Sequence, residues 1–376
     1  MIWFCSYHSS NEGATVQNQL VQPTNPLAHT QVHCDPEWVA LQQQLGFTVL
    51  LGTRSMGDLH VLSAQNSGSL NFHVVKFPLC MGMAIHGNHL AVACKTDIRL
   101  YYDLLAHPQV SSPVYQRSYS PRSIHFTGDL DTHELDFDQH GQPLFVAARY
   151  GCVASLSPVH SFKPVWQPKF ITQLTPEDCC HLNGLCMDQG ELKYVSMFAA
   201  TAEPQGWRNL PFNSGQVWST SDQEAVCTGL VQPHSPRLYN GELYVLNSGA
   251  GEIGRIDLAS GRYDCIAFVG GYGRGLSFVG DYAIFGISKP RHDGYIPNFP
   301  LHDRLKALRM PDRCQLIAVN LKTGQVIQAV TFEGAAREFF DTVVIPDCQN
   351  GVIMNLDEAQ HPQLITCAQN ELPVPA

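Results

Sequence analysis

Histidine and acidic side chains stand at related places just before several short apolar runs of the sequence. His181, His234 and Glu338 each lie four residues before the first apolar residue of a run, and His133 lies two residues before another. Imidazole and carboxylate groups are ligands that suit divalent transition metals. If the runs meet in space, the sequence predicts a metal site made of these four side chains.

The segment that carries His133 adds carboxylates to this set. Residues 128–134 read Gly-Asp-Leu-Asp-Thr-His-Glu, and the alternation of a strand would place Asp129, Asp131 and His133 on one face. Asp131 is therefore an alternative to His133 as a ligand. Because the set is rich in imidazole, we expect zinc, iron or manganese rather than calcium. The alternative is coincidence, since the chain has 17 histidines and imidazoles also hydrogen-bond to turns.

Three residues are candidates for catalysis beside this metal. Glu134 or Asp131 would act as the general base. Arg274 lies between Gly273 and Gly275, which allow close backbone approach, so its guanidinium would hold a substrate carboxylate or phosphate. The alternative role of Arg274 is a salt bridge between neighbouring structural repeats.

Six repeats of a strand, a turn and a second strand are expected to position these side chains. Stacked on their first apolar residue, they begin at Met83, Leu135, Leu185, Leu238, Leu276 and Thr342. Their spacing is typical of β-propeller blades, whose innermost strands begin near one mouth of a central channel. The sequence therefore predicts an all-β fold, a single β-propeller of six four-stranded blades. A pair of β-sandwiches or an irregular all-β fold is the alternative.

Composition divides the chain into three parts. Residues 1–35 are rich in polar residues and lack apolar periodicity, which predicts a flexible polar leader. The propeller is expected over residues 36–360, and residues 361–376 form a C-terminal tail. At the start of the propeller, Asp35 as N-cap, Pro36 in the first turn and Gly46 as terminator predict a short helix.

Charge, hydropathy and cysteine spacing argue against several classes of protein. The formal net charge of −10 gives no global support for binding nucleic acid. No stretch approaches the roughly 18 to 20 apolar residues of a membrane-spanning helix, and the first residues do not form a secretory signal. We expect no nucleic-acid partner, no membrane and a cytoplasmic location. The 13 cysteines form no C-x-x-C pair, which argues against a disulfide framework and a zinc ribbon.

Six short motifs together resemble a known family. They are Thr127–Glu134, Glu177–Leu185, Pro233–Arg237, Leu246–Gly249, Arg274–Leu276 and Ile287–Pro290. Over about residues 37–355 the chain resembles a bacterial family of conserved hypothetical, propeller-like proteins with a domain of unknown function, some of which occur beside tetratricopeptide-repeat proteins. The resemblance implies the propeller and marks the histidine-bearing strand starts as characteristic segments, but it implies no substrate.

More distantly, the layout is similar to six-bladed propellers of the gluconolactonase and strictosidine-synthase class. In that class a metal site lies in the channel. The ring of this chain is richer in histidine and poorer in Asn and Asp, which disfavours calcium-type lactonase chemistry.

The sequence is compatible with three functions. The first is a metal-dependent enzyme, hydrolase-like, lactonase-like or a lyase, which acts on a small anionic or oxygen-rich substrate. The second is a non-catalytic propeller that binds a peptide, a glycan or a partner protein, with the histidines as hydrogen-bonding channel residues. The third is a metal-independent lyase or cyclase that uses Glu338 or Glu134 alone.

Overall fold

Short apolar runs separated by polar turns fold into antiparallel hairpins along the chain. The computed structural model describes residues 30–54, 56–65, 67–108, 110–289, 298–334 and 336–354. The predicted C-terminal tail and residues 1–29 of the predicted leader lie outside the described residues.

The described chain consists mainly of strands. Those up to residue 166 are β1 (Thr30–Cys34), β2 (Thr48–Thr53), β3 (Asp58–Ala64), β4 (Leu70–Lys76), β5 (Met83–His86), β6 (His89–Ala93), β7 (Asp97–Asp103), β8 (Arg117–Phe126), β9 (Thr132–Phe137), β10 (Pro143–Ala147), β11 (Cys152–Ser155) and β12 (Lys163–Trp166). Those that follow are β13 (Leu182–Asp188), β14 (Glu191–Met197), β15 (Gly215–Ser219), β16 (Glu224–Leu230), β17 (Pro233–Tyr239), β18 (Glu242–Asn247), β19 (Glu252–Asp257), β20 (Arg262–Phe268), β21 (Tyr272–Val279), β22 (Tyr282–Ser288), β23 (Cys314–Asn320), β24 (Val326–Gly334), β25 (Phe339–Ile345) and β26 (Gly351–Ile353).

In the described residues two α-helices accompany the strands, α1 (Pro36–Leu45) and α2 (Pro300–Leu308). Asp35 caps α1 by accepting a hydrogen bond from the backbone N–H of Glu37 at 2.9 Å, and Gly46 ends it with a left-handed φ of 65°. This confirms the helix predicted from the sequence. Among the described residues, no helix has the length and apolar character that crossing a bilayer requires.

The strands form six sheets arranged as the blades of a propeller. From inner to outer edge the blades are I (β25, β2, β3, β4), II (β5, β6, β7, β8, β26), III (β9 to β12), IV (β13 to β16), V (β17 to β20) and VI (β21 to β24, β1). The innermost strands contact one another in a closed ring, β5, β9, β13, β17, β21, β25 and back to β5. The predicted all-β propeller of six four-stranded blades is therefore confirmed, with a fifth strand added to blades II and VI.

All six strand starts predicted by stacking lie in these innermost strands. Residues 320–324, Asn-Leu-Lys-Thr-Gly, form the turn between β23 and β24, because the Asn320 side chain accepts from the N–H groups of Lys322 and Thr323 and Gly324 has a left-handed φ of 73°. The hydrogen bonds of this turn lie within five residues and need no distant partner.

Blade I closes the ring by joining both ends of the described chain. Its innermost strand β25 is antiparallel to β2, with Ile345 opposite Thr48 and Thr342 opposite Leu51. Two additional strands lie beside this closure, β1 antiparallel to β24 of blade VI and β26 parallel to β8 of blade II. Residues 30–34, which the sequence prediction placed in the leader, thus belong to the sheet because they pair with β24.

The interface between blades I and VI buries several large side chains. Trp38 of α1, Phe332 and Phe339 are fully buried or nearly so, and the rings of Phe332 and Phe339 meet edge to face with centroids 4.9 Å apart. Phe339 belongs to the closing strand β25, so its burial contributes directly to ring closure.

We expect Phe339→Ala to lower the free energy of unfolding by about 3 to 5 kcal/mol, because it leaves a cavity at the closure. Phe126→Ala is the control, since Phe126 is 79% exposed, and its effect should stay within about 0.5 kcal/mol. Urea unfolding measures both. Equal effects of the two substitutions would show that the interface of blades I and VI does not hold the ring.

His60 of β3 is buried in the same region without polar partners. It is 3% exposed, its ring packs on Phe72 and Phe332, and within the described part of the chain neither ring nitrogen has a hydrogen-bond partner. Burial, with the help of Lys76, lowers the pKa of His60 from 6.5 to about 3. His60 therefore stays neutral in the folded protein where an unfolded chain would protonate it.

This histidine should make the protein less stable in acid. As the pH falls below 6.5 toward 3, the unfolded chain binds a proton that folded His60 does not, which costs about 1.4 kcal/mol per pH unit. We expect His60→Leu to reduce the pH dependence of the unfolding free energy by about that slope, as measured by urea unfolding across this range. Exposed His160 replaced by leucine is the control, and an unchanged slope in His60→Leu would contradict the prediction.

Candidate functional site at the histidine-bearing channel mouth

Three histidines from neighbouring blades meet at one end of the channel. His133 lies in β9, His181 immediately precedes β13, and His234 lies in β17. The ring centroids of His133 and His181 are 4.8 Å apart, and those of His133 and His234 are 6.4 Å apart. Each residue is at most 5% exposed. The structure thus brings together the three imidazoles that the sequence grouped.

Backbone conformation shows that the three positions are not equivalent. Leu79, Asp131, His181 and Gln232 each lie just before an innermost strand and have a left-handed φ between 48° and 61°. His133 and His234 come two residues after such a residue, whereas His181 is itself the left-handed residue. Stacking on apolar residues aligned His181 with His234, which lies two residues after Gln232, the left-handed residue before the innermost strand of blade V. A two-residue shift leaves the alternation of a strand unchanged, so apolar stacking does not detect it.

Hydrogen bonds at Nδ1 fix the orientation of the histidine rings. Nδ1 of His133 lies 2.8 Å from the carbonyl oxygen of Asp131, and Nδ1 of His234 lies 3.0 Å from that of Gln232. A carbonyl only accepts, so Nδ1 carries the proton in both rings and Nε2 carries a lone pair. The two residues share this arrangement because they occupy the same position after the left-handed residue.

Burial keeps two of the imidazoles uncharged. It lowers the pKa of His133 from 6.5 to about 3, although nearby Asp131 acts in the opposite direction, and it lowers the pKa of His234 well below 6.5 with the help of Arg274. Among the described residues, Nε2 of His133 is buried with no hydrogen-bond partner. A neutral imidazole held at Nδ1 and open at Nε2 is the form in which histidine binds a metal.

Arg274 lies between the histidines and Glu338. Its Nε is 3.3 Å from Nε2 of His234, and its guanidinium forms an ion pair with the Glu338 carboxylate. The guanidinium carbon also lies 5.0 Å from the ring centre of Tyr272 and 5.1 Å from that of Phe340. Arg274 therefore forms the salt bridge between blades that the sequence left as its alternative role.

This contact bears directly on metal binding. His234 and Glu338, two of the four predicted ligands, both touch the Arg274 cation. Over the described parts of the chain, no group of three His, Cys, Asp or Glu side chains is already placed to hold a metal ion. A metal at the three imidazoles thus requires Arg274 to move away from Nε2 of His234.

Asp131 lies beside His133 at the mouth. Its Oδ1 is 3.4 Å from Nη2 of Arg54, and its Oδ2 is 3.9 Å from Nδ1 of His133. The carboxylate is 21% exposed, so water reaches it. Of the two carboxylates predicted as general bases, Asp131 is the one at the mouth.

Glu134 points into the channel interior instead. Its Oε2 accepts from the backbone N–H of Leu185 at 2.9 Å and from Nη1 of Arg237 at 3.0 Å, and Arg237 also donates to the Leu185 carbonyl at 2.8 Å. Glu134 follows His133 in the strand and therefore faces the opposite side. The structure does not bring Glu134 together with the histidines, but uses it to connect blades III, IV and V.

A cavity of about 240 Å³ at this mouth is lined by side chains that contact the histidines, among them Trp207 and Arg274, but by none of the three histidines themselves. Its described lining includes five aromatic side chains, three cations and one acid, which are Phe198, Trp207, Phe212, Tyr272, Phe299, Arg208, Arg274, Lys289 and Glu338, together with Leu210, Pro211, Gln232, Ser288 and His302. The cations outnumber the acid, so the cavity favours an anionic ligand. A second cavity, of about 420 Å³, is lined in part by Asp136 and Arg237 and shares none of its described lining residues with the first.

Several side chains that shape the mouth were not among the site residues predicted from the sequence. Asp178 binds His181, Trp207 packs on His181, and Tyr272 meets His234 edge to face with ring centroids 5.4 Å apart. The Asp-x-x-His spacing of Asp178 and His181 was a usable signal. Trp207 comes from a loop after β14, and nothing in its local sequence marks the contact.

A sequence model of one protein family matches residues 36–354, and its description is a domain of unknown function, DUF4915. The chain belongs to the DUF4915 family. The match confirms the predicted membership of a family with a domain of unknown function. No functionally curated protein matches this DUF4915 chain.

Solved structures are similar to the DUF4915 chain at low sequence identity, and one with a TM-score above 0.5 shares its fold. A chain in the crystal structure of a nidogen/laminin complex is 11% identical with a TM-score of 0.52, and the match covers 80% of this chain and 99% of that one. A protein of unknown function from Bacteroides caccae is 10% identical with a TM-score of 0.46, with the same coverage. At such identities the similarity concerns the fold alone.

The ion pair of Arg274 and Glu338 should couple blades VI and I. Arg274→Met is expected to lower the unfolding free energy by about 3 kcal/mol, because it leaves a largely buried carboxylate without this partner. In the double variant with Glu338→Gln the two effects should not add, with a coupling energy of about 1 to 3 kcal/mol by urea unfolding. The exposed pair of Lys322 and Asp281 is the control and should show no measurable coupling. Additive effects at Arg274 and Glu338 would exclude the coupling.

Proposed function

We propose that the channel mouth is the active site of a metal-dependent enzyme that acts on a small anionic substrate. The ligands would be Nε2 of His133, His181 and His234. The observation that carries the proposal is the convergence of three buried imidazoles, each held at Nδ1 by an acceptor, as metal-binding histidines are. An all-imidazole set favours zinc, iron or manganese over calcium.

The sequence predicted Glu338 as a fourth metal ligand, whereas its ion pair with Arg274 favours a role in positioning that arginine. We assign Glu338 to holding Arg274 beside the cavity. When Arg274 leaves His234, its guanidinium remains next to Glu338 and the cavity, where it would bind a substrate carboxylate or phosphate.

The other residues of the mouth fit the same chemistry. A bound divalent ion would supply Lewis-acid activation of water or of a substrate oxygen. Arg274 and Lys289 would bind the anionic group, and Trp207 and Tyr272 would limit the access of water. Asp131, partly exposed beside His133, would accept the proton as general base.

A second candidate is a metal-free module that binds an anionic ligand without converting it. The contact of Arg274 with Nε2 of His234 favours this function, because it satisfies that nitrogen without a metal. The third possibility, a lyase or cyclase using Glu338 or Glu134 alone, is less well supported, because an arginine pairs with each carboxylate.

We also propose a cytoplasmic location. Every cysteine among the described residues is free, and most are buried. Free thiols in this number suit a reducing compartment. A small molecule is the proposed ligand, although a protein partner at the propeller face is compatible with the same mouth.

Elemental analysis of protein purified without a histidine tag tests the metal. We expect close to one zinc, iron or manganese ion per chain, and its loss in His133→Gln and in His181→Gln. Exposed His86→Gln is the control and should retain the metal. Thermal unfolding of metal-free protein with added Zn²⁺ should show a rise in midpoint for wild type and His86→Gln only.

The result that would overturn the enzyme proposal is a wild-type protein that neither contains a stoichiometric metal nor is stabilised by Zn²⁺, Mn²⁺ or Fe²⁺. Stabilisation of that metal-free protein by small carboxylates or phosphates, lost in Arg274→Met, would then support the binding module.

A further inference from the structure

His181 differs from the other two histidines in the group that holds its Nδ1. Its Nδ1 lies 2.9 Å from Oδ1 and 3.1 Å from Oδ2 of Asp178, whereas His133 and His234 bind backbone carbonyls. The Asp178 side chain is 13% exposed, so water screens it little. A carboxylate at Nδ1 makes Nε2 a better electron donor than a carbonyl does. Nε2 of His181 is therefore the strongest electron-pair donor of the three imidazoles.

Trp207 holds the same carboxylate from its other side. The indole Nε1–H donates to Oδ2 of Asp178 at 3.0 Å, and the indole ring packs on His181 with centroids 4.7 Å apart. Phe198 packs on His181 as well, with centroids 4.4 Å apart. An ionised aspartate only accepts hydrogen bonds, so it satisfies both the indole and the imidazole donor at once.

We propose that Asp178 is a positioning residue, held by Trp207, that keeps His181 in the Nδ1–H tautomer with the lone pair on Nε2. The importance of this tautomer for metal binding rests on the proposed function. The tautomer itself depends only on the contacts of Asp178, Trp207 and His181, so it can be tested in the metal-free protein.

Asp178→Asn should reverse the tautomer of His181, because an amide oxygen and an amide NH₂ group replace the two accepting oxygens of Asp178. The introduced amide has one accepting oxygen and one donating NH₂ group, and it faces two donors. The indole N–H has no other state, whereas an imidazole can move its proton to Nε2. The amide oxygen should therefore bind Trp207 and its NH₂ group should donate to Nδ1 of His181, which converts His181 to the Nε2–H tautomer.

Trp207→Phe in the Asp178→Asn background should restore the original tautomer. It removes the competing donor, so the amide oxygen is free to accept from Nδ1–H of His181. Nitrogen-15 NMR of labelled histidine in the metal-free protein distinguishes the two tautomers. Asp188 is an exposed aspartate at the end of β13, the strand that follows His181. Asp188→Asn is therefore the matched control and should leave the tautomer of His181 unchanged.

Metal affinity provides a second measurement. Asp178→Asn should weaken Co²⁺ or Zn²⁺ binding by about 10- to 100-fold, because Nε2 then carries the proton. The double variant should recover part of the loss, which a merely structural role of Asp178 would not predict. Thermal unfolding establishes that each variant is folded before its affinity is compared.

The outcomes separate this inference from the proposed function. A wild-type His181 in the Nε2–H form, or a tautomer unchanged by Asp178→Asn, overturns the inference. A double variant that stays in the Nε2–H form overturns the role of Trp207. If the tautomer switches as expected but wild-type protein binds no metal, the inference holds and the metal-dependent function fails.

Discussion

The pairing of β25 with β2 is the constraint on which the rest of the structure depends. It places the last innermost strand of the ring against a strand from the beginning of the propeller, so all six blades are held in one closed circle. Each histidine of the mouth comes from a different blade, and Arg274 and Glu338 come from two more. None of these side chains is close to another in sequence. They form one site because closure of the ring fixes the starts of their strands relative to one another.

Interfaces between blades give this ring its stiffness. The side chains at the interface of blades I and VI are as buried as those of a single-domain core, and closely packed interiors change shape little. Polar contacts in the channel add to this packing, because Asp341 of β25 accepts from the backbone N–H of Met83 in blade II at 2.6 Å. The blades are thus held together by apolar packing at their interfaces and by hydrogen bonds between their innermost strands.

The elements that the sequence predicted correctly are those whose determining interactions are local. The helix capped by Asp35 depends on hydrogen bonds within a few residues, and short apolar runs in the sequence indicated all six innermost strands. The grouping of His133, His181 and His234 followed from those strands. Their exact register did not, because a strand repeats every two residues and a shift by two is invisible in its pattern.

The roles of Arg274, Trp207 and Glu134 depend on contacts between residues that are far apart in the sequence. Whether Arg274 faces a ligand, a histidine or a carboxylate depends on the distance between blades VI, V and I, which no local pattern encodes. Trp207 reaches His181 from a loop whose conformation is set by its packing. Glu134 has the chemistry of a general base, yet its neighbour Arg237 comes from another blade and holds it in the channel interior.

The position of Arg237 has a consequence for the two cavities. This side chain extends from blade V to Glu134 of blade III and lines the cavity near Asp136, which shares no described lining residue with the cavity at the histidine-bearing mouth. The two cavities therefore have separate walls within the described part of the chain. A substitution that reshapes the cavity near Asp136 changes none of the described side chains that line the mouth, so the two spaces can be altered one at a time.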